Sequence, residues 1–277
     1  MFAIGLAAAL FASALFNVGV ALQGLEARRE PRRLGLRLSL LSRLLRRPLW
    51  LLGFALGVIG VGPQVLALSD APFVVVQPAL VVGLLILLAI GTTYFHEPVG
   101  RLEVAGVLAI IGGVALDAWG AAPHVEAHRS WLPVLATVAA LTIPSLLPFV
   151  FRAGNWLILV GAGCAWAVTN ISTKLGSDDL GANHWWNAFT WGIVALVFGV
   201  VATLTTMTAF QRSRATVVVP VTTMVQTYLP LLLEPAFLRE RYDAADIAPL
   251  SGGILLAAVG TLLITRTKAV SDLVASA

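Results

Sequence analysis

Long apolar runs alternate with short polar turns along almost the whole chain. Nine runs reach about twenty residues, which lets an α-helix cross the roughly 30 Å hydrocarbon core of a bilayer. A helix satisfies its own backbone hydrogen bonds, as a segment in lipid must. We therefore predict an all-α polytopic membrane protein with about nine transmembrane helices. The predicted spans are 2–23, 48–68, 73–95, 102–120, 131–150, 155–174, 185–208, 215–234 and 246–265.

The composition agrees with a membrane protein and argues against a nucleic-acid binder. Of the 277 residues, 58% are hydrophobic and 12% are charged, and the mean hydropathy is +0.90. A soluble domain carries roughly 25% charged residues. The net charge of +4 lies in the loops between the spans, not on a polar face with interleaved aromatic residues. The single cysteine, Cys164, lies inside an apolar run, so we expect a buried, unreactive thiol.

The basic residues predict the orientation of the chain in the membrane. Fourteen of the eighteen Lys and Arg residues fall on the side that holds the loop after the first span. Cytoplasmic loops are the ones enriched in these residues. We therefore expect a protein of the cytoplasmic (plasma) membrane, with its N-terminus outside and its C-terminus in the cytosol.

The segment 24–47, called the basic segment below, contains eight of these arginines. Leu34, Leu38, Leu41 and Leu45 recur in it at helical spacing. This pattern predicts a short amphipathic helix that lies on the inner leaflet and binds anionic lipid. The alternative is a disordered linker that only sets the topology.

Two parts of the chain resemble each other. Residues 67–78 (ALSDAPFVVVQP) align without a gap with residues 209–220 (AFQRSRATVVVP), and each copy continues into an apolar helix, a charged turn and a glycine-containing helix. We predict two four-helix repeats, 1–120 and 155–277, with a connecting span in 121–154. A single connecting span inverts the second repeat relative to the first. Inverted repeats of this kind are typical of alternating-access carriers.

Polar residues within the spans are the candidate substrate ligands. Pro78 and Pro220 occupy matched positions in the two repeats and are candidate hinges, because proline removes a backbone donor; a simple proline kink is the alternative. Buried amides and a phenol either line a central cavity or form ordinary interhelical hydrogen bonds. Asp117, Glu234 and Lys174 are expected at span ends, where their charges reach the interface. The candidate ligands are Asn17, Gln64, Gln77, Asn170, Gln226 and Tyr228.

Several motifs resemble the drug/metabolite transporter (EamA-like) superfamily, and within it the NIPA-type magnesium transporters. The run DAPFVVVQP precedes a helix that ends in HEP, and a glycine-rich helix follows. The resemblance implies nine spans and an outward N-terminus. The matching positions are Ala71, Pro72, Val75, Pro78, Thr169, Ser172, Lys174, Gly176, Asn183, Thr190, Trp191, Val218, Pro220 and Thr223.

One departure from the family bears on the substrate. The glycine-glutamate pair of the family falls on Gly60 and Val61, and its nearby asparagine falls on Gln64. The membrane carboxylate is therefore missing, although Mg²⁺ prefers carboxylate, carbonyl and water oxygens. A neutral or zwitterionic metabolite, carried without a cofactor, suits the uncharged spans. Transport of Mg²⁺ or another divalent cation is the alternative.

The sequence also bears on two other classes of protein, an enzyme and a subunit without transport of its own. The sequence has no HExxH motif, no Ser/Lys or paired Asp within a span and no phosphate-binding loop, so we expect neither an enzyme nor an ATP-driven pump. His124 and His128, beside Glu126, could bind a metal if they were helical, whereas a solvated loop is the alternative. A scaffold or regulatory subunit without transport of its own also fits the sequence, and so does a homodimer.

Overall fold

The structure is a computed structural model that describes residues 2–70, 73–94, 99–120, 131–151, 154–237 and 244–265. Every regular element in these ranges is helical, with eleven α-helices and one 3₁₀ turn, Arg32–Leu34. The α-helices are α1 Phe2–Arg29, α2 Leu38–Leu44, α3 Pro48–Asp70, α4 Phe73–Val81, α5 Gly83–Thr93, α6 Arg101–Gly120, α7 Trp131–Val150, α8 Asn155–Gly181, α9 Trp185–Arg212, α10 Ala215–Phe237 and α11 Ala244–Thr265.

Five of the described helices are long and apolar enough to cross a membrane, and four shorter apolar helices accompany them. An observed helix overlaps each predicted span, but the third span is divided at Val82 into α4 and α5. α1, α8 and α9 continue past their predicted ends, to Arg29, Gly181 and Arg212. The prediction of an all-α membrane protein is confirmed for the described residues, while the number of nine spans stays a prediction.

The helices present apolar side chains outward. On α3, only 17% of the most apolar stretch within Pro48–Ala67 is buried inside the protein. The exposed side chains include Leu52, Phe54, Val58 and Ile59. A soluble monomer rarely exposes so many large apolar side chains next to one another. It is the surface expected of a helix that faces lipid tails.

The largest apolar cluster closes one end of the helix bundle, the end that holds the basic segment. Leu40, Leu44 and Phe210 are almost completely buried in it. Trp50 and Met207 belong to the same cluster, and the Trp50 Nε1–H points at the Met207 sulfur at 3.4 Å. No open path toward the bundle interior is therefore expected between these side chains.

The short helix predicted in the basic segment is present as α2. Leu40 and Leu44, one turn apart, are buried against the protein. Leu41 and, in the preceding 3₁₀ turn, Leu34 are partly buried against the same cluster. Leu38 and Leu45 are exposed, which leaves apolar side chains on the outer side of this segment. Its position on the inner leaflet stays a prediction.

Helices α6 and α11 cross at two pairs of glycines. A Cβ atom added to Gly106 would lie 2.6 Å from the carbonyl oxygen of Gly260, and one added to Gly113 would lie 2.6 Å from that of Gly253. The pairs run in opposite order along the chain, so the two helices are antiparallel. Glycine permits this approach because small residues let helix backbones touch in lipid.

Candidate functional site

The third apolar segment is interrupted at Val82, and a side chain of α1 occupies the interruption. The Ser13 hydroxyl donates to the carbonyl oxygen of Leu80 and accepts the backbone N–H of Gly83 at 2.8 Å. Leu85 instead bonds to the carbonyl of Val82, three residues back. Backbone groups that the helix has released are thus satisfied by another helix, as they must be in lipid.

Asn17, a predicted candidate, lies one turn beyond Ser13 and is 8% exposed. Its Nδ2 donates to the carbonyl oxygen of Ser13 at 2.9 Å, and its side chain lies directly over Gly83. Glycine is required there because a Cβ atom would collide with both Ser13 and Asn17. Asn17 is therefore part of the interruption. No pattern in the sequence singles out Ser13, since a lone serine in an apolar helix is usually a packing residue.

The segment that follows residues 209–220, which align in sequence with residues 67–78, has a different local structure. α10 continues without interruption past the buried Pro220, and the Thr222 hydroxyl donates to the carbonyl of Val218 at 2.7 Å. Val225 fills the space where α10 meets Gly163 of α8. At the interruption, Gly83 is on the interrupted helix and the larger residues are on its neighbour α1. Here the glycine is on the neighbour α8 and the larger residue is on α10. The hinge role of Pro78 and Pro220 stays a prediction.

A carboxyl group lies buried between α6, α10 and α11. Both carboxylate oxygens of Asp117 are buried, and neither makes a hydrogen bond of good geometry. The side chain lies against Gly253, where a Cβ atom would collide with it. The prediction that Asp117 reaches the membrane interface was wrong, because the bare backbone of Gly253 lets the short aspartate side chain turn inward.

Tyr228, another predicted candidate, is the polar neighbour of this carboxyl. It is 3% exposed, its hydroxyl interacts electrostatically with Asp117, and the contact falls short of a well-formed hydrogen bond. Tyr228 packs with Val114 and Ala257 in a small buried cluster, and Val81 of the interrupted helix packs against the same cluster. The interruption and the Asp117–Tyr228 pair therefore belong to one region.

The other predicted candidates lie outside this region or are not placed. Gln64 and Gln226 are partly buried, and Asn170 is exposed on α8. Asn170 is therefore not a counterpart of the buried Asn17. The side chains of Gln77 and Glu234 lie outside the described residues.

A groove of about 540 Å³ runs between α8 and α9. Its lining is mostly apolar and includes Trp185, Phe189 and Leu180, with Ser172 and Thr173 as polar groups. The Ser172 hydroxyl is buried and has no hydrogen-bond partner in the described part of the chain. The groove is open to the outside of the bundle and shares no residue with the Asp117 region.

The basic segment is bound to the end of α9 by polar contacts. The backbone N–H of Leu36 donates to Thr208 Oγ1 at 2.9 Å, and Gln211 Nε2 donates to the carbonyl of Glu30 at 3.2 Å. The Glu30 carboxylate is buried and forms ion pairs with Arg47 at 2.9 Å and Arg43 at 3.5 Å. The two hydrogen bonds join residues 30–36 to α9, and the ion pairs join Glu30 to arginines at the far end of the basic segment.

Within the described ranges, no group of three or more His, Cys, Asp or Glu residues is arranged to hold a metal ion. His124 and His128 lie outside those ranges. Cys164 is buried, as expected.

These features define a helical membrane protein with an interrupted helix and a buried carboxyl–phenol pair. Comparison with known protein families, with characterised proteins and with solved structures found no match to this chain.

Proposed function

We propose that this chain is a secondary transporter of the drug/metabolite transporter type, which moves a small solute by alternating access. The interruption at Val82, held by the Ser13 hydroxyl, is the observation that carries the proposal. In carriers, substrate sites typically form where helices are discontinuous near the middle of the membrane. Val82 itself keeps helical dihedral angles (φ −53°, ψ −28°), so the interruption is a local break in the hydrogen-bond pattern of the helix, four residues after Pro78.

The glycine contacts between α6 and α11 support two inverted repeats. Gly106 and Gly253 are 147 residues apart in sequence, and so are Gly113 and Gly260. A two-fold rotation that exchanges the repeats would turn the contact of Gly106 with Gly260 into the contact of Gly253 with Gly113. Both contacts are present. This reciprocity is expected of repeats 1–120 and 155–277 related by an axis in the membrane plane.

The orientation follows from the distribution of basic residues, with the N-terminus outside and the C-terminus cytosolic in the plasma membrane. Arg32, Arg33, Arg37 and Arg46 in the basic segment are exposed. Exposed arginines beside a bilayer attract anionic lipid by about 1 kcal/mol each. Anionic lipid is therefore the proposed partner of this segment.

The proposed substrate is a neutral or zwitterionic metabolite. The polar side chains gathered at the interruption, the Ser13 hydroxyl and the Asn17 amide, are bonded to backbone groups and carry no net charge, so no charged group there favours an ion. Mg²⁺ transport remains the alternative suggested by the family resemblance.

The proposal is tested in proteoliposomes. Purified protein is reconstituted and exposed to a panel of amino acids, sugars and nucleosides, and the contents of the vesicles are measured by mass spectrometry. Parallel vesicles contain an Mg²⁺-sensitive dye. Gly83→Val, whose side chain would collide with Ser13 and Asn17, is compared with Gly57→Ala on α3, where an added Cβ meets no atom within 4 Å.

We expect saturable uptake of a neutral or zwitterionic metabolite that Gly83→Val abolishes and Gly57→Ala retains. Saturable Mg²⁺ uptake without metabolite uptake would replace the proposal by the cation alternative. Absence of both, with protein shown to be folded and inserted, would favour a scaffold or regulatory subunit.

A further inference from the structure

The buried carboxyl of Asp117 has no role in the uncharged site proposed above. Both of its oxygens are shielded from solvent and lack a well-formed hydrogen bond. Asp117 lies three residues before the end of α6, so it lies only about 5 Å along the helix axis from that end. A carboxyl this close to an interface could reach water by a different rotamer, yet it turns inward. Access of the carboxyl to water therefore does not explain its position.

The surroundings of this carboxyl are apolar apart from one phenol. α10 contributes Tyr228, α11 contributes Gly253 and Ala257, and the interrupted helix contributes Val81 to the same cluster. Among these described neighbours, Tyr228 is the one titratable group and none is positively charged. The phenol can donate to an ionised carboxylate and accept from a neutral carboxylic acid.

An ionised carboxylate is unstable in such surroundings. Moving a charge out of water into an apolar site costs several kcal/mol unless a cation or several hydrogen bonds compensate. Ionisable residues within membrane segments are rare and typically belong to ion pathways or proton relays. We call the arrangement in this structure, in which both oxygens of Asp117 are shielded from solvent, the closed arrangement. It therefore favours the neutral acid. Water entering between α6 and α10 would favour the ionised form.

We propose that Asp117, assisted by Tyr228, binds and releases the proton that couples this carrier to a proton gradient. This inference rests on the proposed transport function. In the closed arrangement the carboxyl holds its proton. When α10 moves away from α6, the O–H bond of the acid breaks, the proton passes to water, and the carboxylate remains until it is protonated again from the other side.

The geometry favours a proton over a metal cation. A hard cation needs several oxygen ligands around it. The described side chains around this site supply the two carboxylate oxygens and one phenol, and the others are apolar: Val81, Val114, Met224, Ile254 and Ala257. Gly253 leaves room for the carboxyl but adds no side-chain ligand.

The test uses dicyclohexylcarbodiimide, an apolar reagent that adds covalently to protonated carboxyl groups within membranes. The full-length protein in proteoliposomes is treated at a series of pH values without any substrate, and the adduct on each peptide is measured by mass spectrometry. Glu103 is an internal control on the same helix. It is also buried, but its carboxylate accepts the backbone N–H of Gly100 at 2.8 Å, whereas the oxygens of Asp117 lack such a bond.

We expect labelling of Asp117 at neutral pH, little labelling of Glu103, and loss of the main adduct in the isosteric variant Asp117→Asn. Tyr228→Phe should shift the pH at which labelling is half complete. Equal labelling of Asp117 and Glu103, or none on Asp117 until acidic pH, would overturn the proposal. Protection of Asp117 by Na⁺ at constant pH would overturn it in favour of a cation site.

A second measurement separates this proposal from the transport function. Uptake is compared with and without an inward proton gradient in the wild type and in Asp117→Asn. We expect the gradient to stimulate wild-type uptake and to have no effect on the variant. If the proton gradient changes uptake in neither protein, the chain is still a carrier, but its proposed coupling to protons is overturned. If Asp117 is labelled but the protein transports nothing, the proposed proton coupling is overturned because the transport function itself has failed.

Discussion

Replacing Gly106 by alanine adds one methyl group where α6 crosses α11. The new Cβ atom would lie 2.6 Å from the carbonyl oxygen of Gly260 and 2.6 Å from Cγ1 of Ile264, whereas ordinary contacts begin near 3.4 Å. The backbone of Gly260 cannot turn aside as a flexible side chain could. The two helices must therefore separate by about 0.8 Å at this point, the difference between these two distances.

The separation weakens more than one contact. A gap of 0.5–1 Å forfeits about a quarter to a half of each dispersion contact across it. The second glycine pair, Gly113 and Gly253, lies two turns away on the same seam and would be loosened too. Overpacking of a tight interface typically costs about 1–3 kcal/mol. We expect Gly106→Ala to lower the free energy of unfolding by this amount.

Gly57→Ala on α3 is the matched control, since it makes the same chemical change within a helix. Its added Cβ meets nothing within 4 Å. Alanine is favoured over glycine in a helix by up to about 1 kcal/mol, so this variant should be as stable as the wild type or more stable. The same Gly→Ala substitution is thus expected to lower the free energy of unfolding at Gly106 and to leave it unchanged or raise it at Gly57.

The assay is equilibrium unfolding of purified protein in mild detergent, with a denaturing detergent as titrant and helical circular dichroism as the signal. Monodisperse elution of each variant is checked first. Equal midpoints for Gly106→Ala and Gly57→Ala, or a higher midpoint for Gly106→Ala, would refute the close glycine contact between α6 and α11.

Three further substitutions test other contacts with the same unfolding assay. Ser13→Ala leaves the N–H of Gly83 and the carbonyl of Leu80 without their partner and should cost about 1–3 kcal/mol, whereas Ser42→Ala, on the exposed face of α2, should change stability by less than about 0.5 kcal/mol. Ser172→Ala removes a buried hydroxyl that has no described partner and should be neutral or stabilising; clear destabilisation would show that the hydroxyl is bonded. Glu30→Gln breaks ion pairs with arginines that are about half exposed and should cost about 1–2 kcal/mol, less than a fully buried pair; no loss would mean that these pairs do not hold the basic segment.

The positions of the helices could be predicted from the sequence because lipid imposes a simple rule. An apolar run of about twenty residues must satisfy its own backbone, so hydropathy alone predicts a helix. The ends were less accurate. α1 continues through Glu26, which forms ion pairs with Arg29 and Arg47, and α9 continues through Gln211, whose Nε2 donates to the carbonyl oxygen of Glu30.

The candidate site was predicted only in part, for a physical reason. Asn17 and Tyr228 were selected because amides and phenols are expensive to bury, and both are buried. Ser13 and Asp117 were missed because their surroundings depend on glycines in other helices. Gly83 makes room for Ser13, and a bare backbone at Gly253 makes room for Asp117. Such pairings join residues that no local pattern relates.

The two ends of the bundle differ in a way that bears on how a carrier of this design would open. At the end with the basic segment, Phe210, Leu40 and Leu44 fill the interior, and the segment is tied to α9 by hydrogen bonds from Leu36 and Gln211. Asp117 lies near the opposite end, at which α6 finishes, whereas Val81 of the interrupted helix packs against both the Tyr228 cluster and the apolar cluster of the basic-segment end.

A route to this region from the basic-segment end therefore requires α9 to move away from that segment. Polar contacts suit such a movement, because water replaces a broken hydrogen bond and leaves a net cost of only about 0.5–1.5 kcal/mol for each one. Exposing the apolar cluster around Phe210 would add about 25 cal/mol for each Å². The apolar cluster, more than the ion pairs of Glu30 in the basic segment, should thus determine how often this end opens. A smaller side chain at Phe210 should favour the open arrangement.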